Sequence, residues 1–300
     1  MRIHGIYPPL ITPIHRDGSL DQEGFEKLIG HVIKGGVHGL FVMGSCGEGS
    51  MVSPQMRLDA SRIARDKNRG RLPLLVGVLE QSTLGVIASI RMLEEEGFDT
   101  FVVTPPYYLK YPAQEELIRH YEKIAQSIKG RIVLYNIPQF AGACMTAETM
   151  IRLINMPGIA GIKDSDPCWE NVQNALLKKR ESDFPYMVGN EDTCGAGLLL
   201  GGDGIVPCLG NIYPKLFADM YCAAQEKDLS RVIELQALVT RLRNIMKFAG
   251  SWIACIKYMA FRKGLCEPYA MCPIAPVSPE ESLRLDAALD AFEAETGYGS

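Results

Sequence analysis

Eight short, continuously apolar runs punctuate the first three quarters of this chain, and each is followed by a longer stretch with apolar residues at helical spacing. The runs are Ile6–Ile11, Leu40–Met43, Leu74–Val78, Thr100–Val103, Ile132–Tyr135, Ile159–Ile162, Tyr186–Val188 and Ile205–Val206. Strands that are apolar throughout, rather than alternating, belong to a parallel sheet covered on both faces. The helical patterns lie at 20–33, from Pro54 on, and at 84–96, 115–128, 147–154, 169–179, 193–200 and 214–224. Strand–helix units repeated in this way close into a (β/α)8 barrel or open into a doubly wound sheet. An open dinucleotide-binding sheet carries GxGxxG after its first strand. Here the turn after Ile11 is Thr12-Pro13-Ile14-His15-Arg16-Asp17-Gly18, which favours an α/β fold of the (β/α)8 TIM-barrel class. Beyond residue 227 only helices are expected, at Leu229–Met246, Trp252–Lys263 and Pro279–Glu293. The expected organisation is a barrel over 1–226 and a C-terminal helical extension over 227–300, with no low-complexity linker between them.

Composition narrows the function classes. The 300 residues, 47% of them hydrophobic, suffice for one large core. The 31 basic residues are balanced by 35 acidic ones, so no basic field points to nucleic acid. Nine cysteines are scattered without a CxxC pair, which argues against a disulfide framework or a zinc site and for a reducing compartment. Pro8, Pro9 and Pro13 interrupt the first apolar stretch, unlike the core of a signal peptide, and no run approaches the ~18 apolar residues of a membrane span. The expectation is a cytoplasmic protein with no membrane, nucleic-acid or metal partner.

Barrel enzymes carry their chemistry at the C-terminal ends of the strands. Those ends here present Thr12, Gly44-Ser45-Cys46-Gly47-Glu48-Gly49, Thr104-Pro105-Pro106-Tyr107-Tyr108, Tyr135-Asn136-Ile137-Pro138, Lys163-Asp164-Ser165 and Gly189-Asn190-Glu191-Asp192. A lysine that closes an apolar strand is usually solvated, and its flanks alone do not overturn that. Desolvation disfavours an ammonium, however, and a neutral amine attacks carbonyls. The set around Lys163 combines an amine, the phenol of Tyr135, small hydroxyls and exposed backbone amides, with no histidine and no metal cluster. That combination suits imine chemistry on an oxo acid: the amine attacks the ketone, the phenol moves protons, and amides with a hydroxyl hold the carboxylate.

These residues resemble, over essentially the whole chain, the dihydrodipicolinate synthase / N-acetylneuraminate lyase family of pyruvate-dependent Schiff-base aldolases. The resemblance rests on GSCGE at Gly44–Glu48, YNIP at Tyr135–Pro138 and GIKDS at Gly161–Ser165, in that order and spacing. It implies that Lys163 forms the Schiff base, Tyr135 is the acid/base, and Ser45 relays protons and holds the carboxylate. It also implies a covalent imine with no dissociable cofactor, an oxo-acid pocket near Val206, and a homotetramer of two tight dimers. Either Tyr107 or Tyr108 would reach a neighbouring subunit; Tyr108 is the aligned position.

Departures from the family pattern bear on the substrate. Cys46 replaces a hydroxyl, so carboxylate binding leans on the amides around Gly47, or the thiol is a small buried filler. The arginine that grips a second carboxylate two residues after the YNIP proline is Phe140 here. Ser165 suits a substrate hydroxyl, and Glu191 with Asp192 either accepts from a polyol or caps a helix. Gly189 completes the strand-7 rim. The favoured reaction is cleavage of a 2-keto-3-deoxy sugar acid to pyruvate and an aldehyde. Dihydrodipicolinate synthesis, N-acetylneuraminate cleavage and a non-catalytic oxo-acid-binding barrel are the alternatives. Gly201-Gly202-Asp203-Gly204 reads as a strand entrance rather than a phosphate cradle, Lys178-Lys179-Arg180 as a solvated helix end, and His15 as structural.

Overall fold

The computed structural model describes residues 2–109, 113–179 and 183–299. In chain order the first elements are β1 (Gly5–Ile6), α1 (Gln22–Lys34), β2 (Leu40–Val42), α2 (Pro54–Asn68), β3 (Leu74–Val78) and α3 (Thr83–Glu95). Next come β4 (Thr100–Val103), α4 (Gln114–Ala125), β5 (Arg131–Asn136), α5 (Pro138–Ala141), α6 (Ala147–Ile154), β6 (Ile159–Asp164) and α7 (Trp169–Lys179). The chain continues through β7 (Tyr186–Val188), α8 (Cys194–Leu199), β8 (Gly204–Ile205), α9 (Pro214–Gln225), α10 (Leu229–Met246), α11 (Trp252–Arg262) and α12 (Pro279–Thr296). The chain divides into two compact units: Met1–Gly5 with Leu74–Val206, and Ile6–Pro73 with Pro207–Ser300.

The first unit holds six strands in the order β8-β7-β6-β5-β4-β3, each pairing parallel to the next. Phe101, Val103, Leu134, Ile162, Tyr186 and Val188 are all essentially inaccessible, which is the physical meaning of the continuous apolar runs. From α4, the Tyr121 hydroxyl donates to the Val103 carbonyl at 3.0 Å. Helix α5 was not anticipated. Pro138 opens it, since its fixed φ and missing N–H suit a first helical position. The Gly-rich stretch before β8 behaves as a strand entrance: Asp203 accepts from the Tyr186 N–H at 2.8 Å and pairs with Arg2 and Lys179. That pairing corrects the solvated reading at Lys179, whose side chain is only 11% exposed, while Lys178 stays solvated at 40% exposure in a surface pair with Glu148. Arg180 lies outside the described residues.

In the second unit the first strand is shorter than Ile6–Ile11. Pro8 and Pro9 lack the N–H a ladder needs, so regular pairing stops at Ile6. A parallel bridge between Pro9 and Phe41 and a Leu10 N–H donating to the Phe41 carbonyl continue it. Asn211 fills in by accepting from the Ile11 N–H and donating to the Pro9 carbonyl. The three expected C-terminal helices are present as α10, α11 and α12, capped by Asp228, Ser251 and Ser278. Ser278 and Glu281 form a reciprocal capping box. Helix α12 also reaches Tyr213, whose hydroxyl donates to Glu293 at 2.8 Å.

Candidate active site

Tyr135 and Lys163 are register partners across β5 and β6, so their side chains leave the sheet on one face. Both are buried, at 2% and 4% exposure, and the lysine Nζ lies 3.7 Å from the centroid of the phenol ring. Gly189 makes this packing possible. A Cβ there would stand 2.2 Å from Ser165 Oγ and 3.1 Å from Lys163 Cε, so the position has room only for hydrogen. Its N–H donates to the Asp164 carbonyl at 2.7 Å, and the Ser165 N–H donates to the Asn136 carbonyl at 2.9 Å. The ends of β5, β6 and β7 are thereby tied to one another at the amine.

A buried polar cluster fixes the same region. Asp164 accepts from the Tyr186 hydroxyl on Oδ2, and from Asn136 Nδ2 and the Asp166 N–H, each at 2.9 Å, on Oδ1. Burial pushes the Asp164 carboxyl up to about 6 despite these donors. Burial also raises the Tyr186 phenol well above its ordinary range, with the Asp164 charge adding to it. Asn136 Oδ1 accepts from the Met145 N–H, and Asp166 accepts from Cys168 N–H, Asn171 Nδ2 and the Cys144 thiol. Burial, and then Asp166, lift that thiol to about 12, in keeping with its donation to the Asp166 carboxylate. Sequence reasoning did not connect Asn136, Asp164 and Tyr186 into this buried cluster. The signal was a polar residue closing each of two otherwise apolar strands.

The remaining strand-end residues of this unit are distributed as follows. Ser165 is 8% exposed, and its carbonyl accepts from Gln139 Nε2 at 3.2 Å. Val206 is buried, with its N–H donating to the Val188 carbonyl. Glu191 is 4% exposed, but the cap of its short 3₁₀ turn is Asn190, which accepts from the Asp192 N–H. Phe140 stands on α5 at 56% exposure. The Tyr107 hydroxyl donates to the Leu79 carbonyl and accepts from Gln81, whereas Tyr108, at φ +80°, is 91% exposed.

Ser45, Cys46 and Gly47 lie in the second unit, in the turn after β2. Cys46 and Gly47 are buried, and Gly47 is boxed in: a Cβ would approach the Leu10 carbonyl to 2.7 Å. Thr12 Oγ1 donates to the Gly47 carbonyl at 2.7 Å. Among the described residues, the N–H groups of Cys46 and Gly47 donate to nothing in the protein. Glu48 Oε1 lies 2.7 Å from Lys257 Nζ with both side chains fully inaccessible. Lys257 was not singled out in the sequence, where it sits inside an ordinary helical pattern. His15, the one histidine at a strand end, pairs with Glu267 at 2.7 Å, as a structural residue would. Among the described residues no cluster of three or more His, Cys, Asp or Glu could hold a metal ion, and no helix is long and apolar enough to cross a membrane.

Residues 2–292 match the family model described as the dihydrodipicolinate synthetase family. The 4-hydroxy-tetrahydrodipicolinate synthase of Albidiferax ferrireducens is 32% identical over 97% of each chain, and that of Polynucleobacter asymbioticus is 30% identical over 96% of this chain and 94% of its own. Among solved structures, dihydrodipicolinate synthase of Bacteroides thetaiotaomicron superposes with a TM-score of 0.91 at 31% identity, covering 97% of this chain and all of that one. A prophage protein of the dihydrodipicolinic acid synthase family from E. coli K12, in complex with pyruvate, gives 0.91 at 28% identity, covering 97% and 99%. The expected (β/α)8 class with a C-terminal helical extension is therefore the fold class of this chain. The chain belongs to the dihydrodipicolinate synthetase family, enzymes of the class I aldolase type that make and break carbon–carbon bonds.

Proposed function

We propose that this enzyme forms a Schiff base between Lys163 and a 2-oxo acid and cleaves a 2-keto-3-deoxy sugar acid reversibly to pyruvate and an aldehyde. The observation that carries the reading is the buried Lys163 amine stacked 3.7 Å over the Tyr135 ring, in the space Gly189 leaves. The Lys163 amine adds to the keto carbon, and Tyr135 delivers the proton with which the carbinolamine loses water. In the resulting iminium the C3–C4 bond breaks as the C4 hydroxyl gives up its proton to the Tyr135 phenolate, the electron pair passing into an enamine. The enamine is protonated at C3, and hydrolysis releases pyruvate. The imine nitrogen is the electron sink, so the reading needs no dissociable cofactor.

The carboxylate is assigned to the Cys46 and Gly47 amides with the Ser45 hydroxyl, where two N–H groups stand open among the described residues. Val206 lines the oxo-acid methyl side, while Ser165 and Glu191 serve the hydroxylated tail. Phe140 supports a sugar acid over an amino-acid semialdehyde, because no guanidinium fork stands there for a second carboxylate. The second reading is 4-hydroxy-tetrahydrodipicolinate synthesis from pyruvate and aspartate semialdehyde, the activity in the names of the relatives above. Borohydride added with pyruvate should leave a reduced adduct on Lys163; absence of the adduct would end both readings. Pyruvate release from a panel of 2-keto-3-deoxy acids, run beside semialdehyde condensation, decides between them.

A homotetramer completes the proposal. Tyr108, Leu84 and Leu109 of the first unit, at 91%, 73% and 64% exposure, suit contact with further copies, and sedimentation equilibrium reads the assembly directly. The nine free thiols fit a cytoplasmic location, which cell fractionation tests.

A further inference from the structure

We propose that Lys257, on α11 of the C-terminal extension, is a positioning residue that sets the Gly44–Glu48 turn to receive the substrate carboxylate. The inference rests on the reading above that this turn binds the carboxylate of an oxo acid.

The Lys257 ammonium is ion-paired with Glu48 Oε1 at 2.7 Å and donates to the Thr12 carbonyl at 2.5 Å and the Tyr269 carbonyl at 3.0 Å. Neither side chain of the ion pair reaches solvent. A well-packed methionine is often as stabilising as such a lysine once its acidic partner is also neutral, so the pair calls for an explanation other than stability. The turn supplies one. Met43 and Glu48 hold φ of +58° and +55°, a left-handed conformation that non-glycine residues keep only where their surroundings impose it. Lys257 grips the second of these residues by its carboxylate, and the Met271 N–H, beyond α11, donates to the other oxygen of the same group.

The same ammonium acts on the turn a second time. It holds the Thr12 carbonyl, and Thr12 Oγ1 donates to the Gly47 carbonyl at 2.7 Å. Both Gly47 and Glu48 are thus fastened from Lys257. The peptide units between Ser45 and Gly47 are fixed with two N–H groups left open, a preorganised anion site of backbone amides. The extension therefore contributes to the oxo-acid site as well as to packing, through one residue distant in sequence from the turn it sets.

The test compares pyruvate with methyl pyruvate, its neutral ester, in borohydride trapping at Lys163. The protein is the full chain, as wild type, Glu48→Gln/Lys257→Met and Thr12→Val. The double variant removes both buried charges at nearly constant volume. Thr12→Val cuts only the Gly47 link, and so decides the matter even if the double variant does not fold. The expected result is a preference for pyruvate over its ester that falls about tenfold or more in each folded variant. Trapping of the ester should change less than about threefold. A merely structural role would lower both ligands together. An undiminished preference in Thr12→Val or in a folded double variant overturns the proposal and leaves the Schiff-base reading standing. Failure of wild type to trap either ligand overturns both.

Discussion

Gly189→Ala is the sharpest single probe of the lysine site. The new methyl would stand 2.2 Å from Ser165 Oγ, where ordinary contact needs about 3.5 Å, so one of them must give by about 1 Å. It would also stand 3.1 Å from Lys163 Cε and 3.2 Å from the Asp164 carbonyl, which asks a few tenths of an ångström of each. The backbone cannot simply swing away, because the Gly189 N–H is bonded to that same carbonyl at 2.7 Å. Overpacking of this kind costs roughly 1–3 kcal/mol, a drop of a few degrees in melting temperature for a chain of this size. Its effect on chemistry should be larger, since a misplacement of about 1 Å at a reacting group costs on the order of 100-fold in rate.

The clash has an address, so a double-mutant cycle locates it. Ser165→Ala alone leaves the amine in place. Combined with Gly189→Ala it removes the 2.2 Å contact and leaves only the milder one to the lysine. The double variant should therefore return to within about 1 kcal/mol of Ser165→Ala in urea unfolding, while pyruvate trapping stays impaired by at least about tenfold. If the two substitutions are additive in stability, Ser165 is not what the methyl meets. If Gly189→Ala traps pyruvate at the wild-type rate, the space at Gly189 does not serve Lys163.

Burial lifts Asp164 from 3.8 to about 6, so its proton is held more tightly in the folded state than in the unfolded one. The resulting stabilisation is complete below pH 3.8 and is lost as the pH rises through 6, a swing of about 3 kcal/mol. Asp164→Asn, whose amide can donate to the Tyr186 oxygen, should lack that swing. The wild-type-minus-variant difference in unfolding free energy, measured at pH 4.5 and 7.5, should shift by roughly 2 kcal/mol in the variant's favour, and a flat difference would contradict the assignment. Phe140→Arg places a guanidinium where a second carboxylate would be gripped, and should raise turnover of aspartate semialdehyde relative to the sugar acid by about tenfold or more, read from competing kcat/KM values. Ser278→Ala breaks the capping box of α12 and should cost about 1 kcal/mol in chemical denaturation with pyruvate trapping unchanged.

What could be read from the sequence follows from how local each signal is. The strands announced themselves because both their faces are buried, and Lys163 and Tyr135 because each ends such a run. The exceptions have equally physical causes. Two prolines shortened β1 by removing its donors, and Asn136 and Asp164 stood at the strand ends with no role of their own although they are the buried partners that brace the amine's strand. Lys179 looked solvated because a basic run at a helix end usually is; Asp203, a strand away, draws it inward.

Lys257 marks the boundary of what spacing can tell. Its helix carries an unremarkable apolar pattern, and an isolated lysine there is by default a solvated one. The acid it meets lies more than two hundred residues earlier, so no periodicity relates the two. The turn itself held the missing clue. Gly44–Glu48 ends in an acid placed directly after a glycine that the backbone of Leu10 allows no side chain. A carboxylate held that close to a crowded backbone turn has lost most of its water, and a desolvated charge requires a partner. Asking which cation could reach Glu48, rather than what Glu48 could do to a substrate, would have directed attention to the helices of the C-terminal extension.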